Sequence, residues 1–309
     1  MLKTIQFILF FTGLYAILHV LVVRDNPYLA NREKYAAQLR GLQDHPAKYL
    51  IVGDSHAGMI DQSWLDKRFY NLGTASDSMN EIYIKIAYAV QHDPHFKYLL
   101  LTADFHILSK YRDAFNNKAY IKPFASPEDY QFVYGEPYST DWVSDRLSRY
   151  PLFDYNVYVT GRESLIGRAK ALIKGKKYVE SKDKQWIEHP QEARDRRAAE
   201  RAQIHLTRII TEENRQRYLD IIDLCRRHNI TVIGLRYPLS PEYLHEMSTY
   251  DLTPLDKHYA GIQFDKFLDY SRLLSEHRYF VDMDHMNEEG VQRFLEKLYA
   301  NLALGGGGE

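Results

Sequence analysis

Apolar residues along this chain fall into short unbroken runs separated by longer stretches with helical spacing. Tyr49, Leu50, Ile51 and Val52 form one such run between Lys48 and Gly53, which predicts a strand buried on both faces. Runs at 69–72, 98–102, 231–235 and 279–281 predict four more strands. Between them Ile82, Ile86, Tyr88 and Ala89 mark one face of a helix over 77–91, and 219–227 is amphipathic. Val291, Phe294, Leu295 and Leu298 line one side of a closing helix over 288–302. Strands alternating with helices predict an α/β domain: a doubly wound parallel sheet, three layers deep, with right-handed crossovers.

Two regions break this rhythm. Residues 5–23 carry no formal charge and are interrupted only by Gln6, Thr12, Gly13 and His19. As a helix they would reach roughly 28 Å, about the hydrocarbon thickness of a bilayer, so 1–24 reads as an N-terminal transmembrane helix. The run passes straight into Arg24 and Asp25 without a small-x-small site, which favours an uncleaved signal anchor over a cleaved leader. Lys3 precedes the span while Arg24, Arg32 and Lys34 follow it, so charge does not orient it. Residues 25–47 read as a polar stalk or short helix, and 48–304 as the folded body. The stretch from about 109 to 216 is too long for one crossover and is rich in aromatics, among them Tyr120, Phe124, Tyr130, Phe132, Tyr134, Tyr138 and Trp142, which predicts an insertion with structure of its own. Within it 162–213 is dense in Lys, Arg and Glu, as exposed helices with mixed-sign pairs are. Gly305 to Glu309 read as an appended linker.

Charge narrows the classes of function. Forty basic residues against forty-one acidic ones leave a net charge of -1, so nucleic acid is not an expected partner. The single cysteine, Cys225, excludes an internal disulfide and a cysteine-rich zinc site. His45, His92, His95, His189 and His205 lack metal-ligand spacing, and neither metal nor cofactor is expected.

Two motifs carry chemistry. Gly53-Asp54-Ser55-His56 follows the first predicted strand, at the carboxyl edge where doubly wound sheets bind ligands, and a serine starting a helix there has amides free to meet an oxyanion. The same residues also make an ordinary helix cap. Asp282-Met283-Asp284-His285-Met286-Asn287 follows the last predicted strand. A carboxylate three residues before an imidazole can hold its Nδ1–H and leave Nε2 for a serine, although Asp284 or Asn287 would equally cap the last helix. Asp104, His106, Arg236 and Tyr237 also follow strands at this edge and are candidate cleft residues, as are Asp54 and His56. Arg236 fits either an anionic substrate group or an ion pair with Asp104.

Gly53-Asp54-Ser55 and Asp282-x-x-His285 together resemble the first and last motif blocks of the SGNH or GDSL hydrolase superfamily. With the following Met-Asn-x-x-Gly, the resemblance is nearest to SGNH domains that work with cell-envelope acyltransferases. It covers about 49–102 and 231–302 and leaves the insertion unmatched. The resemblance implies a flavodoxin-like fold, Ser55 as nucleophile, His285 and Asp282 as its acid/base pair, and an oxyanion hole built from the amides of Ser55 and Gly73. The third block of the family carries an asparagine donor where this chain has Asp104. An ionised Asp104 would repel an oxyanion, and losing one donor costs about 100- to 1,000-fold in rate. The reading is a membrane-anchored serine O-acyltransferase that acts on a cell-envelope glycan or related polymer. Its implied partner is an integral-membrane O-acyltransferase, and its body is extracytoplasmic, in the periplasm or at the cell surface. A carbohydrate or lipid esterase (deacetylase) and a non-catalytic accessory protein using the same cleft are the alternatives.

Overall fold

The computed structural model describes residues 2–23, 26–93, 95–114, 117–138, 185–207 and 210–302, with 154, 156–157, 159–162, 166–167 and 170. Trp142, the linker at 305–309 and most of 162–184 lie outside the described residues. The chain divides into two compact units, one of Met1–Ala37 with Tyr138–Asp183 and one of Gln38–Pro137 with Lys184–Glu309.

The first unit contains helix α1 (Leu2–Val23) and most of α2 (Pro27–Gly41). Asn26 Nδ2 donates to Val157 O at 2.9 Å, and Arg32 pairs with Asp154 at 3.2 Å. The transmembrane segment expected at 1–24 is not supported: among the described residues no helix is long and apolar enough to cross a membrane. The side chains of Ile8, Leu18, Leu21 and Val22, inside α1, lie outside the description.

The second unit holds five parallel strands: β1 (Tyr49–Val52), β2 (Phe69–Asn71), β3 (Tyr98–Thr102), β4 (Thr231–Arg236) and β5 (Lys266–Asp269), in the order β2-β1-β3-β4-β5. This order is shared by doubly wound sheets of the flavodoxin type. Tyr49 pairs with Phe69 on one side and Tyr98 on the other, and Tyr98 in turn with Thr231. The helices are α3 (Ser55–Gly58), α4 (Met79–His92), α5 (Lys118–Ile121), α6 (Pro127–Tyr134), α7 (Gln191–Leu206), α8 (Glu212–Arg227), α9 (Pro241–Met247), α10 (Thr253–Ala260) and α11 (Glu288–Asn301).

Every residue of β1 is buried, so its alternate side chains feed two cores. Tyr49, Ile51, Phe69, Leu100, Ile233 and Leu235 join a cluster with Val291, Phe294, Leu295 and Leu298 of α11. Leu50, Val52, Leu99 and Leu101 are equally buried and face the opposite side, where α4 and α8 pack on each other and against β1 and β4. Each such aliphatic or aromatic side chain contributes about 1.5–3 kcal/mol by leaving water.

The fifth strand differs from expectation. Residues 279–281 are a 3-10 turn at His277–Tyr279 followed by a single antiparallel bridge, Phe280 to Met286. The edge strand is Lys266–Asp269, in which only Leu268 is buried. An edge strand with one inward side chain has no apolar run, whereas Tyr279 and Phe280 are buried as a loop packed beneath the sheet edge.

Candidate active site

Between β1 and β3 the sheet order reverses, and the loops leaving these strands open away from each other. Asp54-Ser55-His56 leaves β1 and Asp104-Phe105-His106 leaves β3. The two Asp-x-His tripeptides exchange partners across the gap: His56 Nδ1 meets Asp104 Oδ2 at 2.7 Å, and His106 Nε2 meets Asp54 Oδ2 at 2.7 Å. Asp54 also caps α3 by accepting the His56 amide at 3.2 Å, and takes Arg112 Nη1 at 3.2 Å. Gly53 makes the close approach possible, because a Cβ there would fall 1.8 Å from Thr102 Oγ1. Ser55 opens α3 and is partly exposed, and neither its amide nor its hydroxyl has a hydrogen-bond partner among the described residues.

The third element is the loop 279–287, pinched shut by the Phe280 to Met286 bridge and by Val281 N donating to His285 O and Asn287 N to Tyr279 O, both at 2.9 Å. Inside it Asp282 Oδ1 accepts the amides of Asp284 and His285 at 3.0 and 2.9 Å. His285 Nδ1 lies 2.9 Å from both Asp282 oxygens. This is the side-on grip that fixes an imidazole with Nε2 pointing away. The loop meets α3 directly: the Met286 amide donates to Met59 Sδ at 3.1 Å, and the His285 ring stands perpendicular to that of His56 with centroids 5.2 Å apart.

Exposure divides these residues into two layers. Asp282 and His285 keep 30% and 20% of their side chains in solvent. Asp54, His56, Asp104, His106 and Asp284 are buried, none more than 4% exposed. Four of the six residues expected in the cleft, Asp54, His56, Asp104 and His106, therefore form a sealed layer under the site and do not line its wall.

Carboxylates and imidazoles alternate in the buried layer. Burial would raise Asp54, but Arg112 and His106 hold it well below the usual carboxylate range. Burial would lower His56, but Asp104, and then Asp284, whose Oδ2 is 3.7 Å from Nε2, hold it well above the ordinary imidazole value. Asp284 is likewise raised by burial and brought well below its usual value by His285 and His56. Against the lowering effect of burial, Asp284 and then Asp282 push His285 up to about 9. Burial and the neighbouring His106 keep His205 well below its ordinary value and hence neutral.

Several expectations change. Gly73 was expected to lend its amide to an oxyanion, but that N–H donates to Asn71 Oδ1 at 2.8 Å. Gly73 serves close packing, since a Cβ would sit 2.4 Å from that of Ala57 in α3. Asp104 neither faces an oxyanion nor pairs with Arg236: besides His56 it accepts the Tyr237 amide at 2.9 Å. Arg236 turns away to Asp269 and Asp256 at 3.1 and 3.2 Å, stacks 3.9 Å over Phe105, and borders a separate groove of about 480 Å³ with Tyr259, Phe264 and Phe267. Tyr237 is wholly buried and contributes its amide. Two trios, Asp54 with His56 and His106, and His56 with Asp284 and His285, are compact enough to test as cation sites. In each a guanidinium already faces the carboxylate, Arg112 at 3.2 Å and Arg201 at 3.6 Å. A second cation beside a fixed one is disfavoured, so neither trio fits a metal.

Sequence reasoning missed Asp284, Arg112, Arg201 and His205. The repetition of Asp-x-His after two strands was the available signal for the crossed pairs, whereas Arg201 and His205 arrive from α7 in the insertion, where no spacing rule applies. No protein-family model matches the chain and no curated protein is significantly similar to it, so the resemblance to SGNH hydrolases rests on the motifs themselves.

Proposed function

We propose that this chain is a serine-dependent O-acyltransferase of the SGNH type, with Ser55 as nucleophile, His285 as general base and acid, and Asp282 as the group that orients it. The observation that carries the reading is the Asp282–His285 pair, gripped at 2.9 Å by both carboxylate oxygens and partly open to solvent, in a loop bonded to Met59, which caps the helix that Ser55 begins. In this reaction Ser55 Oγ attacks an acyl carbonyl while its proton passes to His285 Nε2. The bond to the leaving alcohol breaks as His285 returns that proton to the departing oxygen. A second hydroxyl, deprotonated by His285, attacks the acyl-serine and carries the acyl group away. The Ser55 amide is the available oxyanion donor. With Gly73 engaged and Asp104 an acceptor, the cradle is sparse, which supports a slow transferase over a fast hydrolase.

The acceptor proposed is a hydroxyl of a cell-envelope glycan or related polymer, with water as acceptor in the esterase alternative. Helix α1 exposes Ile5, Phe7, Leu9, Phe10, Phe11, Leu14, Tyr15, Ile17 and Val20. A helix apolar around its whole circumference is stable in contact with lipid or another apolar helix. It is therefore proposed to hold the protein at a membrane beside an integral-membrane O-acyltransferase, with the body extracytoplasmic. A sparse oxyanion cradle also favours a second reading, an accessory protein that holds polymer without turnover.

One experiment separates these readings. Full-length wild type and Ser55→Ala are incubated with p-nitrophenyl acetate, with and without an oligosaccharide acceptor, and an intact-mass measurement follows acetyl-enzyme. Acetylation of Ser55 that an acceptor discharges is the expected result. Hydrolysis indifferent to acceptor selects the esterase, and identical behaviour of wild type and Ser55→Ala removes the enzymatic reading.

A further inference from the structure

His285 Nδ1 faces two carboxylates with one proton to give. Both Asp282 oxygens lie at 2.9 Å and Asp284 Oδ1 at 3.2 Å. Asp282 receives the hydrogen bond. Asp284 is 2% exposed, and its Oδ1 has no hydrogen-bond partner among the described residues. A sealed carboxylate beside an imidazole acts by charge, and burial strengthens that action.

The groups around Asp284 come from three elements. From its own loop come His285 and Asp282. From α3 comes His56, Nε2 to Oδ2 at 3.7 Å. From α7 come Arg201 Nε at 3.6 Å and His205 Nδ1 at 3.8 Å from the same oxygen. His205 stacks on His106 with centroids 4.5 Å apart and shares its Nδ1 with the Tyr243 hydroxyl of α9 at 2.8 Å. Arg201 is a permanent cation and His205 is neutral. Among these groups His56 is buried and held in its charged form, with Asp104 fixing its ring from the far side.

We propose that Asp284 and His56 form a buried tier that sets the proton affinity of His285, Asp284 increasing it and His56 curbing it, so that the working pH of the general base is governed by a carboxylate other than the one that orients it. Both are positioning residues and neither touches the reacting atoms. The inference rests on His285 as the general base of the proposed reaction. It differs from the ordinary triad in giving the imidazole two anionic neighbours, one that aims it and one that tunes it. Its consequence is a resting enzyme whose base is protonated at neutral pH and whose activity rises through mildly alkaline pH. Opposite charges at this range shift an imidazole by about 1–3 units.

Histidine NMR titration of the full-length chain in detergent, with His285 assigned by loss of its signals in His285→Gln, reads this without relying on turnover. Wild-type His285 is expected to titrate near 9. Asp284→Asn is expected to lower it by about 1–3 units, which raises the neutral fraction at pH 7 roughly 10- to 100-fold. Asp284→Glu, which keeps the charge while disturbing the packing, is expected to leave it high. His56→Gln is expected to raise it further. The alkaline rise in acyl transfer should move with each titration. Wild-type His285 titrating near the ordinary imidazole value, or Asp284→Glu lowering it as Asp284→Asn does, overturns the inference. Correct titrations with no acyl transfer at any pH leave the tier standing and remove the reading of function.

Discussion

At the scale of single residues the site depends on where protons rest. The folded-state value of His285, about 9, lies above the value near 6.5 of an unfolded histidine. A group raised on folding stabilises the native state fully below its unfolded value and loses that contribution as pH climbs through the folded one. His56 shifts in the same direction. Urea unfolding monitored between pH 6.5 and 9.5 is therefore expected to show stability falling by roughly 1–3 kcal/mol, and His285→Gln should flatten the slope. A wild-type curve already flat over that window would contradict the paired arrangement of these imidazoles. At the acid end Asp54 and Asp284, both held below their ordinary values, act oppositely, and their contribution disappears as they protonate well below pH 4.

At the scale of elements the loop Leu72–Asp77 is held by buried cations. Lys85, in the middle of α4 and fully buried, pairs with Asp77 at 2.6 Å and donates to Leu72 O at 2.5 Å and Thr74 Oγ1 at 2.7 Å. Arg112, from the loop after β3, ties the same stretch to Asp54 through the Asp77 carbonyl. Burial raises Asp77 to about 6 despite Lys85, so its carboxyl is ionised at neutral pH, while burial lowers Lys85 against the pull of Asp77. Lys85→Met is expected to cost about 3–5 kcal/mol at pH 7, the usual penalty for orphaning a buried charge. The deficit should shrink at pH 5, where Asp77 takes up a proton, and equal destabilisation at both pH values in urea titrations would refute the role given to the pair. This element shows where sequence reading succeeds and fails. The helix at 79–92 was legible from apolar spacing, as were the first four strands, because strands buried on both faces read as unbroken apolar runs. Lys85 was invisible inside the run Ile84-Lys85-Ile86, where a cation reads as the polar face of an amphipathic helix. Strand β5 was missed because an edge strand buries one side chain in four, and 279–281 reads as a strand because it buries Tyr279 and Phe280 without pairing in the sheet. The Asp282–His285 contact was legible because three residues span it. The crossed Asp-x-His pairs were not, because they depend on β1 and β3 being neighbours, which spacing along the chain does not state.

At the scale of the whole molecule the catalytic candidates all belong to the sheet-bearing unit, which takes in Gln38 and leaves Met1–Ala37 with the other. Gln38 donates to the carbonyls of Asn71 and Gly73 at 2.8 and 3.0 Å, so the part of the expected stalk from Gln38 onward serves the active body. The apolar surface of α1 is the strongest whole-molecule feature without a described covering. Association through lipid contact is expected to bring the full-length chain down with phospholipid vesicles on sedimentation and to leave it in the supernatant with detergent. Failure to sediment with vesicles would rule out that attachment.

The sheet order has a further consequence, one of timing. Ser55 leaves the first strand to be made, whereas the imidazole proposed to activate it sits in a loop that Asn287 and α11 close at the far end of the chain. Under the proposed reaction, a polypeptide still being synthesised holds Ser55 through most of the sheet-bearing unit before any residue able to activate it exists. Products ending before Asp282 would thus carry a hydroxyl as inert as any surface serine.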